Sequence, residues 1–107
     1  MTDELKDCKR LEYTLTKKAS GKPEEVHSYE GYMISDYLKT KKPFKRVEFY
    51  AEDGFVFALS ESEACKEVLL ADKVDGNELI GGFTLVIPSD LTSRRWCKYI
   101  REMRVIE

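Results

Sequence analysis

An α+β fold, a mostly antiparallel sheet or open barrel with two short helices, is predicted by three observations. Asp53-Gly54 separates two apolar, aromatic-rich runs in Val47 to Leu59, VEFYAEDGFVFAL, the strongest short-range signal for a β-hairpin. Leu11 to Thr16, LEYTLT, alternates apolar and polar residues with the period of a half-buried strand. Val68 to Ala71 is a continuous apolar run, and Phe83 to Ile87, FTLVI, lies between Gly82 and Pro88; both read as buried strands. There is no internal repeat, low-complexity segment or linker, so residues 1–107 read as one domain, with residues 1–10 as a flexible N-terminus.

The elements follow in order. Thr2 to Arg10 is polar and reads as a short helix or a frayed end. The strand at Leu11 to Thr16 is followed by Ser20-Gly21-Lys22-Pro23, a turn by composition. Val26 to Tyr32 returns as a second strand, which makes an N-terminal hairpin. Met33 to Lys42 reads as a short helix. Ile34, Tyr37 and Leu38 lie at i, i+3 and i+4, and Lys39, Lys41 and Lys42 load the end where the helix dipole favours cations. Pro43 stops it.

The central hairpin has two registers. A two-residue loop at Asp53-Gly54 would set Glu48, Tyr50 and Glu52 on one face with Phe55, Phe57 and Leu59. A three-residue loop, Glu52-Asp53-Gly54, pairs Ala51 with Phe55, Phe49 with Phe57 and Val47 with Leu59. The second collects six apolar residues on one face, and it requires Gly54 in the left-handed region that glycine enters without strain. Ser60 and Glu63 then form a capping box for a helical turn through Lys66. Asp75-Gly76-Asn77 is a turn, Pro88 ends the strand at Phe83 to Ile87, and Ser89 to Ser93 is a loop. Trp96 to Ile106 is extended in pattern.

Eighteen basic and twenty acidic residues give a net charge of −2, which argues against general nucleic-acid binding. No apolar run approaches the roughly 20 residues of a membrane span, and MTDELKDCKR lacks the apolar segment of a signal peptide. The expected location is cytoplasmic. Cys8, Cys65 and Cys97 are widely spaced and form no CxxC pair, and one histidine argues against a Cys/His zinc site. Three thiols are expected, one or two of them buried.

Few residues point to chemistry. His27 could act as a base, but no Ser or Cys nucleophile on a glycine elbow accompanies it, and it reads as a surface strand histidine. The acidic pairs Glu24-Glu25, Glu52-Asp53 and Glu61/Glu63 fall at turns and helix starts, where capping and solvation explain them. Gly81-Gly82 precedes a strand, whereas a phosphate cradle opens a helix. Thr92 to Lys98, TSRRWCK, is the best electrostatic candidate: three cations and two hydroxyls suit a phosphate, and Trp96 could stack on a planar ring. On charge alone it also reads as a solvated edge. Lys41, Lys42, Lys45 and Arg46 read as helix-end charge and protection of an adjacent strand.

Five segments in order carry a resemblance: YEGYMISDYL, VEFYAEDGFVFALSESEA, VLLADKVDGNEL, GGFTLVIP and SRRWCKYIREMRVI. From Tyr29 to Ile106 the chain resembles the C-terminal part of the sulfite oxidase-type molybdopterin-binding domain. That family has a G-x-x-L-x-D-L-L helix, a D-G-Y/F hairpin, an L-L-A-x-x-x-N-G-x-x-L segment, a Gly-Gly strand ending in Pro, and an R-x-V-K-W-L segment. The resemblance implies that Arg95 and Lys98 contact the phosphate and pterin of molybdopterin and that the backbone at Ser93 approaches the same cofactor. The cysteine that ligates molybdenum in the family has no counterpart between Leu11 and Met33. Phe83 stands where the family has Pro, and Tyr99 where it has Trp. The chain is also less than half the usual size of such a catalytic domain. The resemblance therefore implies a shortened binding module for a pterin-like or other phosphate-bearing ligand, or for a partner protein, with no catalytic and no metal-ligating residue assigned. Its alternative is a small molybdopterin-dependent oxidoreductase complete only with a partner chain or as an oligomer, using a displaced Cys8 or an external ligand.

Overall fold

In a computed structural model, residues 5–19, 21–90 and 92–107 are described. The expectations for Thr2 to Glu4, for Ser20 in its turn and for Leu91 in its loop lie outside them.

The alternating N-terminal segment becomes strand β1 (Arg10–Lys17), and β2 (Glu25–Met33) returns beside it. Leu11, Tyr13, Leu15 and Lys17 are half-buried and alternate with exposed residues, as the sequence pattern requires. The antiparallel register sets Tyr13 opposite Tyr29, Leu15 opposite His27 and Lys17 opposite Glu25. On the face of β2 that turns to the core, Met33, Gly31 and Tyr29 are buried, while His27 is half-buried and Glu25 exposed. This face runs off the end of the core and becomes polar there. At the N-terminal end, Leu5 and Cys8 are buried in the core.

Helix α1 (Ser35–Lys39) occupies about half of the segment predicted, with Thr40 Oγ1 donating back to the Tyr37 carbonyl at 2.6 Å. Its anchors Ile34 and Leu38 are fully buried. The central hairpin is β3 (Arg46–Ala51) and β4 (Val56–Ser60), with Val47 opposite Leu59, Phe49 opposite Phe57 and Glu48 opposite Ala58. Ala51 N–H donates to the Phe55 carbonyl at 2.8 Å, and Gly54 has φ +91°, so the three-residue register is the one adopted. Val47, Phe49 and Leu59 are sealed, whereas Phe55, at the tip of the same face, is exposed. Helix α2 (Glu61–Ala64) starts at Ser60, whose Oγ accepts from the Glu63 N–H, and ends two residues before Lys66.

Strand β5 (Leu69–Val74) is the centre of the first sheet. It pairs with β2 on one side and with β6 (Asn77–Glu78) and β7 (Thr84–Val86) on the other, all antiparallel. Leu69, Leu70 and Ala71 are therefore covered on both faces, which is why their run is continuous rather than alternating. The second sheet has the order β4-β3-β8, with β8 at Ile100–Ile106. Reciprocal hydrogen bonds of 2.9 Å between Phe83 and Ile100 join the two sheets. The segment predicted as extended from Trp96 is irregular until Ile100. It follows a 3-10 turn at Ser93–Arg95, and Tyr99 has φ +63°. No helix among the described residues is long and apolar enough to cross a membrane.

Candidate functional site

A cavity of about 350 Å³ opens where the two sheets meet. Its floor is the polar end of the β1–β2 face: Lys17, Glu25, His27 and Tyr29. One wall is the β6–β7 connection with Gly82, and the other is Trp96, Lys98 and Tyr99 from the irregular segment before β8.

His27 is fixed by its neighbours. Its Nδ1 lies 2.6 Å from Asp75 Oδ2, and its Nε2 lies 3.1 Å from Glu25 Oε2. Asp75 is itself held by the backbone of Ser28: it accepts from the Ser28 N–H at 2.9 Å, and its own N–H donates to the Ser28 carbonyl at 2.7 Å. The Asp75-Gly76 hairpin turn makes this reach possible, with φ +54° and +82°, values that Asp and Gly adopt more readily than other residues. His27 thus departs from the reading as a plain surface histidine, since both ring nitrogens are engaged and 28% of its side chain is exposed. The carboxylates of Glu25 and Asp75 raise its pKa above the ordinary imidazole value, and it in turn lowers theirs, after the Ser28 N–H in the case of Asp75.

These directions fix a pH dependence. A raised imidazole pKa contributes stability below its unfolded value of 6.5, which is lost as pH rises through the folded value. Lowered carboxylate values contribute above the ordinary 4.5 of Glu25 and 3.8 of Asp75, and that contribution is lost as pH falls through the folded values. The Tm difference between the native chain and His27→Gln is expected to be greatest between these limits and to shrink as pH rises past 6.5. Thermal melts of both proteins across that range check it, and a difference that grows towards alkaline pH contradicts it.

The aromatic wall is well packed. Trp96 meets Tyr29 edge to face at a centroid distance of 5.6 Å and an interplanar angle of 82°. Its indole N–H is buried and finds no hydrogen-bond partner among the described residues. A buried orphan donor costs about 1–3 kcal/mol, so packing alone favours phenylalanine at this position. Tyr99, exposed at the mouth, holds a left-handed backbone that is strained for a bulky residue, at a cost of order 1–3 kcal/mol. Its carbonyl accepts from the Glu52 N–H at 2.9 Å, and the Phe83–Ile100 pairing begins at the next residue.

The three residues singled out in the sequence do not converge. Lys98 lines the cavity. Arg95 instead clamps Asp90 with two hydrogen bonds of 2.9 and 2.7 Å and pairs with Glu63, lowering the pKa of that carboxyl. It borders a second depression with Asp90, Thr92 and Arg94. Ser93 donates through N–H and Oγ to the Lys18 carbonyl, at 2.8 and 3.1 Å, and ties the 3-10 turn to the end of β1. Both residues hold in place the segment that presents Trp96 and Lys98. Sequence reasoning left out Glu25, His27, Tyr29 and Asp75 as a group. The signal that joins them is the register of two hairpins, which puts His27 at the polar end of a core face and Asp75 beside Ser28.

No protein-family model and no curated protein matches this chain. Among solved structures, it is similar to the sulfane dehydrogenase SoxCD from Paracoccus pantotrophus, with a TM-score of 0.72 and 15% identity over 99% of this chain. The match covers 34% of that chain, so this protein spans about a third of its length. The likeness shows a shared fold. It agrees with the related fold that the sulfite oxidase-type resemblance implies.

A molybdenum ion with a protein thiolate ligand does not fit this cavity. Cys8 is buried near Asp36 and Tyr37, Cys65 caps the end of α2, and Cys97 is half-buried. None lines the cavity, and burial pushes the Cys8 and Cys97 thiols up, away from the thiolate form. Among the described residues, no cluster of His, Cys, Asp and Glu has the arrangement of a metal site.

Proposed function

We propose that the protein is a binding module for a planar, anion-bearing small molecule of the pterin-phosphate kind. The observation that carries this reading is the cavity of about 350 Å³, which sets the rings of Tyr29, Trp96 and Tyr99 beside the cation of Lys98. An apolar concavity with a few convergent polar groups is the usual form of a small-molecule site. The ring stacks against Tyr99 at the mouth, and the anion meets Lys98. The orphan indole donor and the strained Tyr99 backbone support the reading, because both cost stability and both border the cavity. In this reading Ser93 and Arg95 position the segment, and Lys98 makes the direct contact. The location remains cytoplasmic in this proposal.

Trp96 is the only tryptophan, so its fluorescence reports the site alone. Titration with a pterin monophosphate is expected to quench it saturably, and Lys98→Ala to weaken binding about tenfold, the scale of one charge-assisted hydrogen bond. A flat titration overturns the reading. The likeness to a dehydrogenase favours a second one, an oxidoreductase completed by a partner chain that supplies the metal ligand. Stoichiometric molybdenum in protein purified from a cofactor-competent host would support it against the first.

A further inference from the structure

We infer that His27 reads the ligand's anionic group through its Nε2–H, and that the Glu25 carboxylate is an internal stand-in which the ligand displaces. This rests on the reading of the cavity as a small-molecule site and names the group that selects its ligand.

The two carboxylates on His27 are not equivalent. Asp75 is tied twice to the Ser28 backbone in addition to its 2.6 Å contact with Nδ1, so it fixes the ring's orientation and keeps a proton on that nitrogen. Glu25 has the longer contact, 3.1 Å to Nε2, and 60% of its side chain is exposed. It is also the first residue of β2, beyond the buried part of the sheet face. An exposed ion pair of this kind contributes little, so exchanging it for another anion costs little. Lys17 is directly opposite Glu25 in the β1–β2 register and offers the displaced carboxylate a partner.

Charge favours the exchange. The charged groups that line the cavity with His27 are Glu25 on its own strand, Lys17 on β1 and Lys98 in the segment before β8; Asp75 in the β5–β6 turn holds Nδ1, and the Tyr29 ring meets the imidazole edge to face at 6.1 Å. Asp75 balances the imidazolium and Lys17 balances Glu25, so Lys98 leaves an excess positive charge in a chain whose net charge is −2. A phosphate or carboxylate placed at Nε2 takes the site of the Glu25 oxygen, in the cavity that Lys98 also lines. The same geometry makes binding depend on the imidazolium, and affinity falls as pH rises through the His27 titration.

A double-mutant cycle tests this with a pterin monophosphate and Trp96 quenching. Glu25→Gln is expected to tighten binding about tenfold, and His27→Gln in that background to abolish the gain. His27 is the only histidine, so its imidazole NMR signal reports the site directly. In Glu25→Gln it should titrate at lower pH than in the native chain, and added ligand should move it back up. Thermal melts confirm that each variant is folded. Equal affinities with and without His27 overturn the inference even where Trp96 is quenched, which leaves the cavity reading standing. Absence of quenching in every variant removes both.

Discussion

Gly31→Ala is expected to cost about 3 kcal/mol or more and to lower the Tm by roughly 12 °C or more. Gly31 is buried in β2 opposite Ala71 of the central strand β5. A Cβ there would lie 2.0 Å from the Leu70 carbonyl oxygen and 2.6 Å from the Ala71 Cα. Both are backbone atoms of a strand held on two sides, so neither can rotate away as a side chain would. The register shift between Glu30 and Gly31 brings the two backbones this close, and only a residue without a side chain fits. Relief requires separating β2 from β5 where Leu69, Leu70 and Ala71 are fully buried. Urea unfolding followed by circular dichroism measures the loss. A midpoint close to that of the native chain would mean that the bulge relaxes and that this contact does not define the sheet.

How much of this was legible in the sequence follows from the range of each interaction. The Val47–Leu59 hairpin was legible down to its register, because the turn residues and both apolar runs lie within 13 consecutive positions. The double burial of Leu69 to Ala71 was legible in the absence of alternation. The helix at Met33 to Lys42 was overextended because the lysines fit a helix end by charge, whereas only Ser35–Lys39 is helical in the fold. Arg95 illustrates the harder case. Its carboxylate partners are 5 and 32 residues away, and the sequence shows a cation without showing that it is already paired. The cavity is harder still. His27 and Asp75 are 48 residues apart and meet only when two hairpins share a sheet.

Gly82→Ala is expected to destabilise the protein by about 2 kcal/mol or more and to remove ligand binding beyond what the loss of stability explains. Gly82 has φ +140°, a conformation in which a side chain is strained whatever the space around it. Space is lacking as well: a Cβ would meet the Tyr99 carbonyl carbon at 2.7 Å, the Ile100 carbonyl oxygen at 2.8 Å and the Tyr99 Cα at 2.9 Å. These atoms belong to the strained residue at the cavity mouth and to the Phe83–Ile100 bridge that joins the sheets. The least costly response is to push residues 96–99 outward. That keeps most of the core but moves Trp96 away from Tyr29 and carries Lys98 and Tyr99 away from the cavity they line. Two readouts separate the effects. Urea unfolding gives the stability loss, and Trp96 emission should shift to the red in the folded variant as the indole gains solvent. Under conditions where the variant is still folded, a pterin monophosphate should no longer quench Trp96. Retained emission and retained affinity, with stability alone reduced, would show that Gly82 serves the fold and does not shape the site.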